Sequence, residues 1–487
     1  MDNVTIIVRR QEKTFQVDSS RVITKTFFPG GEDRIRNVLN RVLSLSDTDA
    51  ERILEGIKRN FETRHKDIWE VFNENFQQVC RFIPQENNLT DNKRLLIGAY
   101  FTHEYSIQSA AFYNPSIVPH PDQSGLGPGE LRFVMSFRST GEGHLSSIEF
   151  RGGVLKQDNS TVFDPVSGYV ERAEIVKNPK YFLGNFIRKL DEMGWKNEVS
   201  ETILSQFKEE FTFEELMKAI TACEKAKYGR ALAKETIDHM LWLARSNYEI
   251  RFDPEHSLSE RVIFPVSENE SSGIEDARFV RFVDDDGEVT YYATCTAYNG
   301  WSILPQIIVT KDFLHFRMIT LNGEYAKDKG MALFPRRING RYVMVSRVDG
   351  ENMYIMTSDN VHFWEEAERL QEPADPWEFI QIGNCGSPIE TPEGWLLLTH
   401  GVGPMRQYFI GAILLDLDRP NRVIGKLRDP LLVPNRDERE GYVPNVVYSC
   451  GALIHNEELI IPYAMSDQAS AIAVVSVGDL LSALISS

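Results

Sequence analysis

Cysteine is scarce in this chain, with five among 487 residues: Cys80, Cys223, Cys295, Cys385 and Cys450. They are scattered, their number is odd, and no CxxC pair occurs. A disulfide scaffold is therefore excluded, a zinc site fits poorly, and reduced thiols in a cytoplasmic protein are expected. Long apolar runs are also missing. The most apolar tail, IAVVSVGDLLSALI, is short and broken by Asp479, so no membrane-spanning helix is expected. The opening MDNVTIIVRRQEK lacks the basic, apolar and small-residue order of a secretory signal, and none is expected. There is no basic excess: 53 Lys and Arg stand against 71 Asp and Glu, a net charge of −18. A nucleic-acid partner needs a basic stripe and is not expected. Any anionic ligand would need a locally basic pocket. No phosphate loop is present either, because GEGHLSS at 141–147 has neither the Walker lysine nor a following helix.

What is there is ordinary in composition, with 42% apolar and 25% charged residues. That suits a large buried core in one big domain with additions, or in two to three domains. The hydrophobic period divides the chain. Residues 31–78 read as helix, with Ile35, Val38, Leu39 and Val42 on one face. Thr48 and Glu51 suggest a capping box ahead of Ile53, Leu54 and Ile57. The charges along 49–60 read as the solvated face of that helix. From about 95 the period becomes two, as in LRFVMSFR at 131–138. Residues 181–246 return to a helical pattern, with a second capping box at Thr212 and Glu215. After 250 the chain reads as strands and turns. The expected organisation is a mainly helical N-terminal extension (1–94), a β body (95–180 and 247–487) and a helical insertion (181–246).

The β body repeats. IIVTKDFLHF (307–316) and YIMTSDNVHF (354–363) share a T-x-D-x-x-H-F frame. VTYYATCTAYNG, GRYVMVSRVDG, EGWLLLTHGVG and NEELIIPYAMSD are each a turn, an apolar strand and a polar exit. LRFVMSFRSTG fits the same frame. Repeats of roughly 40–50 residues in an all-β segment predict propeller blades, and the strands give five. The fold class is thus an all-β core, a five-bladed β-propeller, with the two helical additions. His315 and His362 recur in the frame and read as structural. Trp301, Trp364, Trp377 and Trp395 read mostly as core, with one available to stack on a sugar face.

In such a fold, equivalent strand exits face one mouth, so Arg138, Arg347, His400 and Asp467 are expected to converge. GIEDARFV (273–280) would be an inner strand near the axis. Period two places Asp276 and Arg278 on one face and Glu275 on the other. A carboxylate among basic groups is either half of a structural ion pair or a proton donor tuned by its surroundings.

GIEDAR (273–278), KGMALFPRRINGRYVMVSR (329–347), THGV (399–402), YFIGAILLDLDRP (408–420) and VPNVVYSCGA (443–452) together resemble glycoside hydrolase family 130, the five-bladed mannoside phosphorylases and β-mannosidases. NPSI (114–117) and Arg138 extend the likeness toward the N terminus. The helical segments lie outside the common family pattern. The resemblance implies that Asp276 is the general acid, its proton reaching the leaving oxygen through a sugar hydroxyl in the phosphorylases. It implies that Lys329, Arg347 and His400 hold inorganic phosphate, a co-substrate, with no cofactor and no metal. It implies sugar or phosphate contacts for Arg138, Arg278 and Asp467, and substrate contacts for Asn114. Glu142, His144 and Glu275 are further candidates for the sugar pocket. Two departures stand out. Ala277 replaces the proline of E-D-P-R, and Lys329 replaces an arginine of some members, which keeps charge but loses the bidentate fork.

The implied reaction is inverting phosphorolysis of β-1,2- or β-1,4-mannooligosaccharides to α-mannose 1-phosphate. An inverting hydrolase is the close rival and needs a second carboxylate to activate water, roughly 6.5–9.5 Å from the acid; Glu142 and Glu275 are the candidates. A non-catalytic glycan-binding propeller is the third reading. The helices are expected to pack together on one side of the β body, over or beside its mouth. There they would restrict the acceptor side or join copies in a homo-oligomer.

Overall fold

Wherever the sequence alternates apolar and polar residues, a computed structural model shows strands, and wherever the apolar stripe returns every three or four residues it shows helices. It describes residues 6–83, 89–223 and 229–486; the first five residues of the expected N-terminal segment lie outside them. The protein is mostly β, with helices in two groups and one more at the C-terminal end.

Five sheets of four to six strands follow one another along the chain. The first is centred on Ala111–Pro119, Leu131–Thr140 and Ser146–Leu155. The second starts with Ile274–Val283, Val289–Tyr298 and Ile303–Thr310. The third runs from Ala332–Leu333 to Glu366–Gln371. The fourth contains Gln381–Asn384, Gly394–Val402 and Tyr408–Leu415. The fifth contains Val447–Tyr448, Glu458–Met465 and Ala469–Ser476. Arg9–Phe15 completes this last sheet by pairing antiparallel with Ala469–Ser476. The segment read as a helical extension therefore gives its first strand to the β body.

Each sheet packs on the next, and Glu458–Met465 of the fifth touches Ala111–Pro119 of the first. The apolar core is divided accordingly into layers between neighbouring sheets. Phe150, Phe279 and Phe316 fill the layer between the first and second. Trp364 and Met344 fill the one between the second and third, and Trp395 and Ile413 the next. Ile410, Leu459 and Tyr463 join the fourth to the fifth, and Phe15, Phe112 and Phe137 join the fifth to the first. Apolar side chains thus fill the spaces between sheets and leave the inner strand ends to polar residues.

The helical groups keep separate cores, contrary to the expectation that they pack together. Leu39, Phe76, Leu96 and Phe101 gather Glu32–Leu43, Asp47–Phe61, Ile68–Val79 and Asp91–Tyr100. Leu190, Leu216, Met240 and Ala244 gather the insertion, from Leu183–Glu192 to Arg230–Ser246. The insertion docks on the second and third sheets. The Thr320 amide donates to Asn247 Oδ1 at 2.9 Å, and Arg188 pairs with Glu365 at 2.7 Å. The capping box at Thr212 and Glu215 forms, at 3.3 and 2.8 Å. The one expected at Thr48 does not, because the chain is already helical at Asp47. Ser46, in extended conformation, accepts from the Asp49 amide instead.

The repeated T-x-D-x-x-H-F frame is one residue out of step with the structure. In its first copy Thr310 Oγ1 and Asp312 Oδ1 accept from the amides of Asp312 and Leu314. In the second, Ser358 Oγ and Asn360 Oδ1 do the same for Asn360 and His362. His315 and His362 are therefore not equivalent: His315 is exposed against Asp312 at 2.9 Å, whereas His362 belongs with Leu314. Hydroxyl-plus-Asx turn chemistry, not residue identity, carries the repeat.

Candidate active site

A cavity of about 210 Å³ is lined by residues in or beside strands of all five sheets, and no described residue of either helical group lines it. The first sheet supplies Asn114 and Arg138, the second Glu275 and Asp276. Lys329 and Arg347 flank strands of the third sheet, His400 stands in the fourth, and Asp467 follows a strand of the fifth. The four strand exits expected to converge thus line one cavity.

The backbone departs from regular pleating where it enters this cavity. The ladder between Ile274–Val283 and Val289–Tyr298 slips between Glu275 and Arg278, and Asp276 sits there with φ of 55°. A bulge of this kind adds a residue to one strand and re-aims its side chains. Alternation consequently fails: Glu275 does not face away from Asp276, and both reach the same guanidinium. Arg138 lies 2.8 Å from Glu275 and 3.4 Å from Asp276. Asn114 repeats the device in the first sheet, with φ of 48° beside its own register slip, and donates to Asp276 Oδ1 at 2.7 Å. Its own Oδ1 is buried without a partner. Non-glycine residues in this conformation cost about 1–3 kcal/mol each and persist where surrounding structure holds them.

Charges at this end are paired. Arg138 also donates to Ser146 Oγ at 3.0 Å and lies over the Tyr113 ring. Lys329 Nζ meets Glu275 at 2.5 Å. Arg278 is buried just behind, donating to Asn384 Oδ1 at 2.8 Å and to the Tyr448 hydroxyl. Burial would raise the Asp276 carboxyl, but Arg138, Arg278, the Asn114 amide and Lys329 outweigh it and hold it below the usual carboxylate range. Asp467 goes the other way. Burial and the negative charge of Asp276 push it up to about 6, against the pull of Arg138 and Arg406.

The opposite end is short of counter-ions. Among the described residues Arg347 Nε has no hydrogen-bond partner, and its ion-pair contact, with Asp328, is a long 3.8 Å. Arg406 also lines the cavity, from an exposed hairpin and within electrostatic reach of Asp467, and makes no ion pair among the described residues. His400 is 1% exposed. Burial, then Arg347 and Arg278, depress its imidazolium to about 3, so the ring is neutral. Its Nδ1 lies 3.0 Å from the Asn384 carbonyl and its Nε2 3.5 Å from Gln381 Nε2. Tyr408 stacks parallel to the ring at 6.0 Å. A Cβ on Gly383 would come within 2.5 Å of His400 Cε1, so only glycine leaves room for this ring.

Glu142 and His144 do not line the cavity. They stand in the hairpin loop after Arg138, where His144 meets the exposed Tyr442 at 3.3 Å. Gln381, Arg406, Tyr408, Val443 and Tyr448 do line it, and sequence reasoning missed them. A signal for Arg406 existed: it follows His400 by six residues (400 to 406), as His144 follows Arg138 (138 to 144). The two loops share a backbone form, with φ/ψ of 66°/18° at Gly143 and 59°/22° at Met405. Trp301 is not core but 96% exposed. It caps the hairpin of Tyr298, whose ring lies 6.0 Å from Lys329 Nζ. Among the described residues no group of three or more His, Cys, Asp and Glu side chains is placed to hold a metal.

A cavity with carboxylates and closely paired cations around Asp276, and an arginine without a close counter-ion at Arg347, describes a site for a polar ligand together with an anion. The chain belongs to glycoside hydrolase family 130: the family model, described as beta-1,4-mannooligosaccharide phosphorylase, matches residues 194–485. Among curated relatives, the 1,2-beta-oligomannan phosphorylase of Thermoanaerobacter sp. strain X514 is 32% identical over 263 residues, covering 52% of this chain and 82% of that one. The beta-1,4-mannooligosaccharide phosphorylase of Ruminococcus albus is 31% identical over 239 residues, 46% and 70% of the two chains. The solved beta-1,2-mannobiose phosphorylase of Listeria innocua overlaps 79% of this chain and 94% of its own, at 21% identity and a TM-score of 0.46.

Proposed function

We propose that this protein is an inverting β-mannoside phosphorylase acting on β-1,2- or β-1,4-mannooligosaccharides, and that its β body is a five-bladed propeller. The five successive sheets, the apolar layers between them and the contact of the fifth with the first support the propeller. The division is 1–94, 95–180 with 247–487, and 181–246, with the strand Arg9–Phe15 belonging to the β body. Among the described residues no helix is long and apolar enough to cross a membrane; cytoplasmic residence stays part of the proposal.

The observation that carries the reaction is Arg347, whose Nε has no hydrogen bond among the described residues, lining the cavity with Lys329 and His400. An anion there would receive charge-assisted hydrogen bonds from Arg347 and Lys329. Phosphate is already a nucleophile, so no protein base is needed. One phosphate oxygen bonds to the anomeric carbon, the glycosidic C–O bond breaks, and the Asp276 proton goes to the leaving oxygen, through a sugar hydroxyl. Asp276 is ionised in the empty site. A bound dianion and expulsion of water both favour its protonated form, so phosphate and proton would load together. Asn114 Oδ1 and Asp467 are available to sugar hydroxyls.

Hydrolysis fares worse on the same geometry. Both carboxylate oxygens of Glu275 are engaged, by Arg138 and Lys329, and Glu142 stands outside the cavity. The test is cleavage of β-1,2- and β-1,4-mannobiose with and without phosphate. Phosphate-dependent release of α-mannose 1-phosphate is expected. Equal release of free mannose without phosphate would establish the hydrolase.

A further inference from the structure

His400 offers an anion a lone pair, not a proton. A carbonyl oxygen can only accept, so the 3.0 Å contact with Asn384 O places the ring hydrogen on Nδ1. The neutral ring then has a bare Nε2. No carboxylate pairs with His400 among the described residues; of its charged neighbours, the cations Arg347 and Arg278 act more strongly on it than the Asp276 carboxylate. Its orientation is fixed by Gly383, which lies against one edge, and by Tyr408, stacked on its face. The single contact at Nε2 is the long one from the Gln381 amide, which a ligand can replace. Arg347 and Lys329 are donors only.

We infer that His400 makes the anion site selective for an oxyanion that carries a hydroxyl, accepting its hydrogen at Nε2 while Arg347 and Lys329 bind the unprotonated oxygens. This rests on the phosphorolytic reading of the same cavity. The monohydrogen phosphate dianion meets both requirements at once. Its hydroxyl is turned to His400, so the attacking atom is one of the three unprotonated oxygens. Arsenate carries the same hydroxyl. Sulfate and monofluorophosphate are tetrahedral dianions of the same charge with no hydroxyl at neutral pH, and each would set its own lone pairs against that of Nε2. An acceptor left facing an acceptor is a strong basis for discrimination, because neither lone pair recovers the hydrogen bond it had to water.

The experiment is competition against phosphate in mannobiose cleavage by the intact protein, with arsenate, sulfate and monofluorophosphate as competitors. Sulfate and monofluorophosphate should bind at least about tenfold more weakly than arsenate. Equal competition by all three, in an enzyme that still needs phosphate, would overturn the inference and leave the phosphorylase reading standing. Cleavage indifferent to phosphate and arsenate would overturn both. His400→Gln replaces the acceptor with an amide that can also donate, and should narrow the gap between sulfate and arsenate to within about threefold. An active variant with the gap unchanged would assign the selectivity elsewhere and overturn the role of His400; the wild-type comparison decides the matter if the variant does not fold.

Discussion

The two ends of the cavity hold similar residues in opposite condition. Around Asp276 the cations meet carboxylates, hydroxyls or amides at close range; among the described residues Arg347 Nε has no hydrogen bond, and its carboxylate neighbour, Asp328, stands off at 3.8 Å. Paired charges hold a shape, and unpaired ones wait for a ligand. Asp276 and Asp467 show the same contrast on a smaller scale. One is held ionised by the guanidinium groups around it, and the other is pushed toward neutrality by burial and by the first.

The most severe way to break the paired end is Asp276→Asn, which keeps the contact from Asn114 but removes the carboxyl proton. Turnover should fall by about 10²–10⁴-fold with mannoside KM little changed; a loss below roughly tenfold in a steady-state assay would remove Asp276 from the role. At the unpaired end, Arg347→Ala should raise the phosphate KM by roughly ten- to a hundredfold, since hydrogen bonds to charged groups contribute about 1.5–3 kcal/mol. The mannoside KM should hold, and a parallel rise in both would show that the ends are not separate. The pH dependence sharpens the contrast further. Asp467 is protonated below about 6 in the folded protein. As a carboxylate it accepts from sugar hydroxyls, so mannoside KM should climb as pH falls through about 6, by up to roughly tenfold per unit. That limb should be absent in Asp467→Asn. The smallest change is expected from Glu275→Gln, which releases Lys329 from its ion pair and so makes the paired end resemble the other. Phosphate KM should fall about two- to fivefold, the scale of a partly exposed ion pair; a rise would mean that Glu275 positions Lys329 for the anion.

The sequence revealed which residues gather in the cavity better than how they face one another. Arg138, Arg347, His400 and Asp467 were found because each ends an apolar strand, and strand ends survive small errors of register. The shared orientation of Glu275 and Asp276 was not found, because period-two reasoning assumes an unbroken ladder and the bulge at Asp276 breaks it. Asn114 came from the family resemblance alone, and the 194–485 match does not reach it or Arg138; geometry alone sets both beside Asp276. Gln381 and Tyr448 gave no signal, since a polar or aromatic residue in a short strand looks like any other. The pairing of Arg9–Phe15 with the far end of the chain was beyond local pattern altogether.

That pairing has a consequence in time. Residues 9–15 leave the ribosome long before residues 469–476, so the fifth sheet cannot be completed until the later strand has emerged. The early strand must wait with an open edge, and joining it to its partner carries the loop-closure cost of the long segment between them. Val446, Tyr448 and Asp467, which come from that sheet or its turns, complete the wall of the cavity. A nascent chain would therefore hold Asp276 and Arg347 in sheets already formed, yet have no finished pocket. Ligand-binding competence would appear in one late step, when the fifth sheet closes the cavity wall.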